Sequence, residues 1–209
     1  MHGGHASESP ILSNTDVFVY QPLSISKKQI RLIRISGSGD GPIECLIRHV
    51  DLDATTQKWP TYRALSYTWG PATPSFEILI NGKTKQVRQN LYNFLRILQR
   101  SQACHDELWI DQLCIDQETV TEKNQQVMML SGIYSSASEV IVWLGLLDSE
   151  NDTTMRYLVK HSRGTYNPSG MYGSLESPSD WSNIQPAVQR FFAIDYWERL
   201  WIVQELLLA

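Results

Sequence analysis

The chain ends in YWERLWIVQELLLA (196–209), where one carboxylate, Glu205, interrupts an apolar run. At 100° per residue, Leu200, Trp201, Gln204 and Leu208 share a face with Trp197, while Val203, Leu206 and Leu207 cover the other side. Glu205 falls at the margin of the tryptophan face, beside Glu198. A helix that is apolar all round is a buried helix. Glu205 is therefore expected to lose much of its water. Desolvation and a nearby like charge both disfavour the charged form of an acid, and acids placed in this way collect at functional sites. The plainer alternative is that Glu205 pairs with an arginine and only locks the helix.

Two other segments carry unusual chemistry. SYTWG (66–70) offers a hydroxyl, a phenol, an indole and a glycine. Together Tyr67, Thr68, Trp69 and Gly70 are suited to stack a flat ring and bring backbone close to it. IDQLCIDQ (110–117) puts Asp111 at a strand end, with Cys114 and Asp116 in the loop that follows. Plainer roles compete. Trp69 could plug a core edge, and Asp111 and Asp116 could cap or turn the chain. Cys114, between Leu113 and Ile115, reads first as a small buried hydrophobe. No basic residue adjoins it and no histidine is placed to serve it, so a cysteine-dependent hydrolase ranks last. The glycine-rich GSGDGP (37–42) lacks the Lys-Ser/Thr and the following helix of a phosphate loop, and reads as a hairpin turn.

These residues need elements to position them. KQIRLIRI and IECLIRHV flank that turn as strands, and ALSYTW is a short strand stopped by Gly70-Pro71. FEILINGKTKQVR is a hairpin with Asn81-Gly82 at its turn. Asn90 is expected to cap a helix whose apolar residues Leu91, Phe94, Leu95 and Leu98 fall at i, i+3, i+4 and i+7. ELWID is a strand, and residues 120–137 a helix with Val127, Leu130, Tyr134 and Ala137 at helical spacing. EVIVWLG is a continuous apolar strand of the kind covered on both faces. The middle thus alternates strand and helix, which predicts an α/β domain with a parallel sheet and the early hairpins along one edge. Ligands of such sheets bind beyond the carboxyl ends of the strands. SYTWG, IDQLCIDQ and LGLLDS all leave such ends. Residues 1–14 read as a disordered lead, 148–183 as an insertion with a helix near 151–163, and the last helix as running from about Ile184, broken near Asp195.

With 209 residues, 42% hydrophobic and 19% charged, the chain suits one globular domain. A net charge of −4 supplies no basic stripe for nucleic acid. The longest apolar stretch, Val140 to Leu147, is too short to span a membrane. Three widely spaced cysteines make neither a disulfide framework nor a zinc site. With no secretory signal in MHGGHASESP, a reducing cytoplasmic compartment is expected.

Taken in order, YRALSYTWG (62–70), the Asn-Gly hairpin, NLYNFLRIL (90–98), LWIDQLCIDQ (108–117), EKNQQVMMLSGIYSSASEVIVWLG (122–145) and RLWIVQE (199–205) resemble the HET (heterokaryon incompatibility) domain of filamentous fungi. Lys123 and Gln125 depart from residues the family often has there. The resemblance implies a domain over 15–209, acting in programmed cell death after fusion of unlike cells or in innate-immunity-like responses. That family is distantly similar to TIR domains, which implies a flavodoxin-like parallel sheet flanked by helices, here with an added N-terminal β-hairpin region. A TIR sheet needs more strands after this helix, so the chain is expected to be a truncated or short form. In TIR domains that cleave NAD+ the catalytic glutamate follows a Trp-Cys-x-x-Glu-Leu pattern. Trp201, Glu205 and Leu206 keep that spacing, with Ile202 for the Cys and Arg199 where TIR domains have Ser. This implies an NAD+ glycohydrolase with Glu205 catalytic. Tyr67 and Trp69 would stack the base, Asp111 would bond ribose or order the loop holding Cys114, and Trp201 would line the site. No metal or cofactor is implied. The alternative is a non-catalytic module that self-associates and recruits partners through Gln112–Glu118 and the insertion.

Overall fold

The computed structural model describes residues 17–24, 26–37, 39–52, 60–101, 105–146, 155–156, 185–186, 188–199, 202 and 205. The expected disordered lead, most of the 148–183 insertion and Trp201 lie outside them.

Among the described residues, seven strands form one sheet. In chain order they are β1 (Gln29–Ile35), β2 (Glu44–Asp51), β3 (Arg63–Tyr67), β4 (Ser75–Ile80), β5 (Lys83–Arg88), β6 (Leu108–Trp109) and β7 (Glu139–Trp143). The helices described between them are α1 (Gln89–Arg100) before β6, then α2 (Asp111–Cys114) and α3 (Val120–Ser136) before β7. The spatial order is β5-β4-β2-β1-β6-β3-β7. The α/β class is as expected, but the sheet is mixed. β3 runs parallel to both β6 and β7, whereas β1 pairs antiparallel with β2 and β6, and β4 with β5. β2 also runs parallel to β4. Short connections join the antiparallel pairs β1–β2 and β4–β5, whereas α2 and α3 carry the chain from β6 back to β7, which runs the same way. The early hairpins extend the sheet from the β6 side of this parallel trio.

Local chemistry explains most elements. Asn81 (φ 51°) and Gly82 (φ 76°) make the two-residue turn between β4 and β5. Leu91, Phe94, Leu95 and Leu98 are the apolar stripe that α1 buries. Asn90 does not cap that helix. Arg88 is the N-cap residue, without a side-chain cap bond, and Asn90 turns to the neighbouring loops instead. In α3 the buried positions are Glu122, Gln126, Ile133 and Tyr134, with Val127 and Leu130 only half-buried. Glu122 is drawn inward because Arg31, 1% exposed on β1, needs a counter-charge. The strand covered on both faces is β3, buried from Ala64 to Tyr67. Among the described residues β7 borders the sheet, half-buried at Val140, Ile141 and Trp143 and exposed at Val142. Past β7, a helical stretch ends near Ala193, and a 3₁₀ turn at Asp195–Glu198 supplies the break expected there.

Candidate functional site

β3, the middle strand of the parallel trio, sends Ser66 and Tyr67 to opposite faces at its carboxyl end, and Glu205 meets Ser66 there. Glu205 is 4% exposed. The Ser66 hydroxyl donates to Glu205 Oε2. With its one proton committed there, Ser66 accepts from the Tyr196 hydroxyl at 2.6 Å. Arg199 grips the same carboxylate with both arms, Nη1 to Oε2 at 2.9 Å and Nη2 to Oε1 at 2.7 Å. Nη1 also reaches Ser66 Oγ at 3.3 Å, and the guanidinium carbon sits 5.5 Å from the centre of the Tyr196 ring. The arginine partner was one of the two readings open for Glu205, and it is present.

A second group stands beside the first. Trp69 Nε1 donates to Asp111 Oδ2 at 2.7 Å, and the amide of Gln112 donates to Asp111 Oδ1 at 2.7 Å. Asp111 keeps some solvent contact, yet burial dominates and pushes its carboxyl up to about 6. The two hydrogen bonds and the charge of Arg199 oppose that rise, and the charge of Glu205 adds to it. The two acids are thus electrostatically coupled although each has its own partners. Arg88 lies 5.0 Å from the centre of the Trp69 ring and bonds the Gly70 carbonyl at 2.6 Å. Gly70 has φ +70°, so the chain turns sharply after Trp69 in a conformation that glycine tolerates best. Asn90 ties this loop to β7, donating to the Thr68 carbonyl at 2.6 Å and accepting from Trp143 Nε1 at 2.8 Å.

The other expected residues fall less favourably for contact with a ligand. Tyr67 is 1% exposed, and its hydroxyl donates to Gln112 Oε1 at 3.1 Å. Burial, and then the charge of Asp111, push its phenol well above the usual range. Thr68 Oγ1 is buried with no hydrogen-bond partner among the described residues. Cys114 has no exposed surface, and its Sγ accepts from the Ile110 amide at 3.3 Å. Burial pushes its thiol up to about 12, which leaves it inert as a nucleophile. Tyr196 and Arg88 were not singled out by sequence, Asn90 was expected only as a helix cap, and Ser66 entered only as a hydroxyl of SYTWG. Period-two alternation along ALSYTW does put Ser66 and Tyr67 on opposite faces, but no local pattern says which face meets the last helix. Among the described residues, no cluster of three His, Cys, Asp or Glu is placed to hold a metal ion, and no helix is long and apolar enough to cross a membrane.

An α/β sheet with a buried, hydroxyl-anchored acid at the carboxyl end of its central parallel strand is the class of protein defined so far. The sequence model of the heterokaryon incompatibility (HET) family matches residues 62–205, which takes in β3 through Glu205, and the chain belongs to that family. Heterokaryon incompatibility protein 6, OR allele, of Neurospora crassa is 37% identical over 113 residues. The match takes in 48% of this chain and 17% of that protein, so the chain corresponds to a small part of it. No solved structure matches.

Proposed function

We propose that residues 15–209 form a cell-death effector domain of fungal heterokaryon incompatibility, or of an innate-immunity-like response, and that it acts by cleaving NAD+. Family membership and the name of the Neurospora relative support the biological part. The chemical part rests on one observation. Glu205 is a buried carboxylate anchored through Ser66 at the carboxyl end of β3. The parallel trio supports a flavodoxin-like, TIR-like reading as well. Its order β6-β3-β7 is second-first-third along the chain, the beginning of the 2-1-3-4-5 order of doubly wound sheets, which bind ligands where that order reverses.

In the reaction the bond between ribose C1′ and the nicotinamide nitrogen breaks, and its electron pair leaves with neutral nicotinamide. Positive charge spreads over C1′ and the ring oxygen, as in glycoside hydrolysis. The Glu205 carboxylate stabilises that charge and holds ribose hydroxyls. Water then adds to C1′ and releases a proton, giving ADP-ribose. Trp69, half-buried and fixed by Asp111 and Arg88, is the aromatic platform for the base. The test follows nicotinamide release with wild type and Glu205→Gln. Release by wild type alone is expected. Equal release by both, or none by either at high protein concentration, would end the reading.

A second reading is favoured by a specific contact. Arg199 occupies both oxygens of Glu205, as expected of a purely structural pair. The domain would then act by self-association and partner recruitment through the Gln112–Glu118 loop, which is exposed at Glu118. It predicts that a folded Glu205→Gln protein still kills cells, while substitutions in that loop abolish killing.

A further inference from the structure

We propose that Arg199 is a specificity-determining residue of this site: its guanidinium receives the diphosphate of the dinucleotide and in doing so uncovers Glu205. The inference rests on the NAD+ reading above. Both carboxylate oxygens are engaged in the structure, so a ribose hydroxyl reaches Glu205 only when a present partner leaves. The contacts single out which one. Oε1 is held by Arg199 Nη2 alone among the described residues, at 2.7 Å. Oε2 is held by Arg199 Nη1 and by Ser66, which is itself held by Tyr196. Departure of Arg199 therefore leaves Glu205 anchored through Oε2 and frees Oε1 to face substrate.

Access favours the same partner. The Arg199 side chain is 19% exposed and that of Glu205 5%, so an entering anion meets the arginine first. The guanidinium fork suits paired phosphate oxygens as well as a carboxylate. The backbone of Arg199 is lightly held, its amide reaching the Tyr196 carbonyl at 3.4 Å and its carbonyl accepting from Ile202 at 3.4 Å, both long for such bonds. Charge balances after the exchange. The diphosphate replaces Glu205 as the counter-ion of Arg199, and the cationic nicotinamide riboside end replaces Arg199 as the counter-ion of Glu205. With the whole dinucleotide no buried charge is left alone, which favours the exchange; a ligand without the cation binds against competition from Glu205.

The test is calorimetric titration of ADP-ribose and of adenosine into wild type, Arg199→Lys and Glu205→Gln, with folding checked by near-UV circular dichroism. Glu205→Gln removes the internal competitor, so ADP-ribose should bind about tenfold tighter or better than to wild type. Arg199→Lys loses the fork, and ADP-ribose should bind about tenfold weaker. Adenosine should bind equally to all three. ADP-ribose affinity that is the same in wild type and Arg199→Lys overturns the proposal, as does an unchanged or weaker affinity in Glu205→Gln, or no binding to any folded form. If Glu205→Gln does not fold, the comparison of wild type with Arg199→Lys decides alone. These readouts do not require turnover. Binding through Arg199 without nicotinamide release keeps the exchange and removes the catalytic reading, whereas release without a role for Arg199 in binding does the reverse.

Discussion

Among the described residues two arginine–glutamate pairs sit largely out of water, Arg31–Glu122 between β1 and α3 and Arg199–Glu205 at the carboxyl end of β3. Both are bidentate. They differ in what else holds the arginine. Arg31 also donates to the carbonyls of Gln21 at 2.6 Å and Cys114 at 3.0 Å, and stacks 4.8 Å from the centre of Tyr20. Its glutamate accepts the Asp116 amide at 2.7 Å. The pair therefore knots β1, the N-terminal segment, α2 and the loop before α3 into one unit. Among the described residues Arg199 has one further hydrogen bond, a 3.3 Å contact with a side-chain hydroxyl, and its guanidinium lies 5.5 Å from the centre of the Tyr196 ring. An arginine held by backbone carbonyls is fixed by the fold, whereas one held by a single carboxylate can be exchanged for another anion. Geometry at the glutamate alone would not have separated the two.

That contrast is broken most directly at Glu122. Replacing it with Gln leaves the Arg31 charge buried and unbalanced, and stability should fall by about 3–5 kcal/mol. Urea denaturation at neutral pH reads the loss. Arg199→Met should cost less, about 2–3 kcal/mol, because its partly exposed neighbourhood lets water reach the stranded carboxylate. If the two variants lose equal stability, the distinction between a fixed and an exchangeable arginine fails. Asp111 supplies a third case, an acid with no arginine bonded to it. Its folded pKa of about 6 lies above the ordinary value. The folded state therefore binds the extra proton between about pH 4 and 6. The sign is that wild type loses stability as pH rises through that window, by about 3 kcal/mol. Asp111→Asn should show a flatter profile there. Parallel profiles for the two proteins would mean that Asp111 does not hold the proton.

How far the sequence carried this picture depends on the range of the interaction. The Asn81-Gly82 turn, the α1 stripe and the break near Asp195 are set by neighbours within a few residues, and all were legible. The acid in the last helix was legible as well, because a charge inside an apolar run is a local anomaly. Its partners were not. Ser66 lies 139 residues from Glu205, and Arg31 lies 91 residues from Glu122. No periodicity links positions that only the fold brings together. α3 shows the same limit in part: of its apolar stripe Tyr134 is buried, but Val127 and Leu130 are only half-buried, and a distant buried arginine draws Glu122 inward. Asn90 shows local chemistry overridden in another way. It stands where a cap is favourable, yet its amide bridges the Thr68 carbonyl and the Trp143 indole, which sequence could not place beside it.

The smallest effect is expected at Gly70, where backbone rather than charge sets the geometry. A methyl group there would meet only the Cβ of Asn90 at 3.9 Å, an ordinary contact. Gly70→Ala should therefore lose only the strain of a left-handed residue, about 1–2 kcal/mol. Arg88 bonds the Gly70 carbonyl and lies against Trp69, so this strain falls on the platform and not on either arginine–glutamate pair. Thermal melts should show the modest loss, and tryptophan fluorescence should shift as Trp69 relaxes away from Asp111. A Gly70→Ala protein as unstable as Glu122→Gln would place the main rigidity of this edge in the loop backbone, and the buried pairs would no longer account for it.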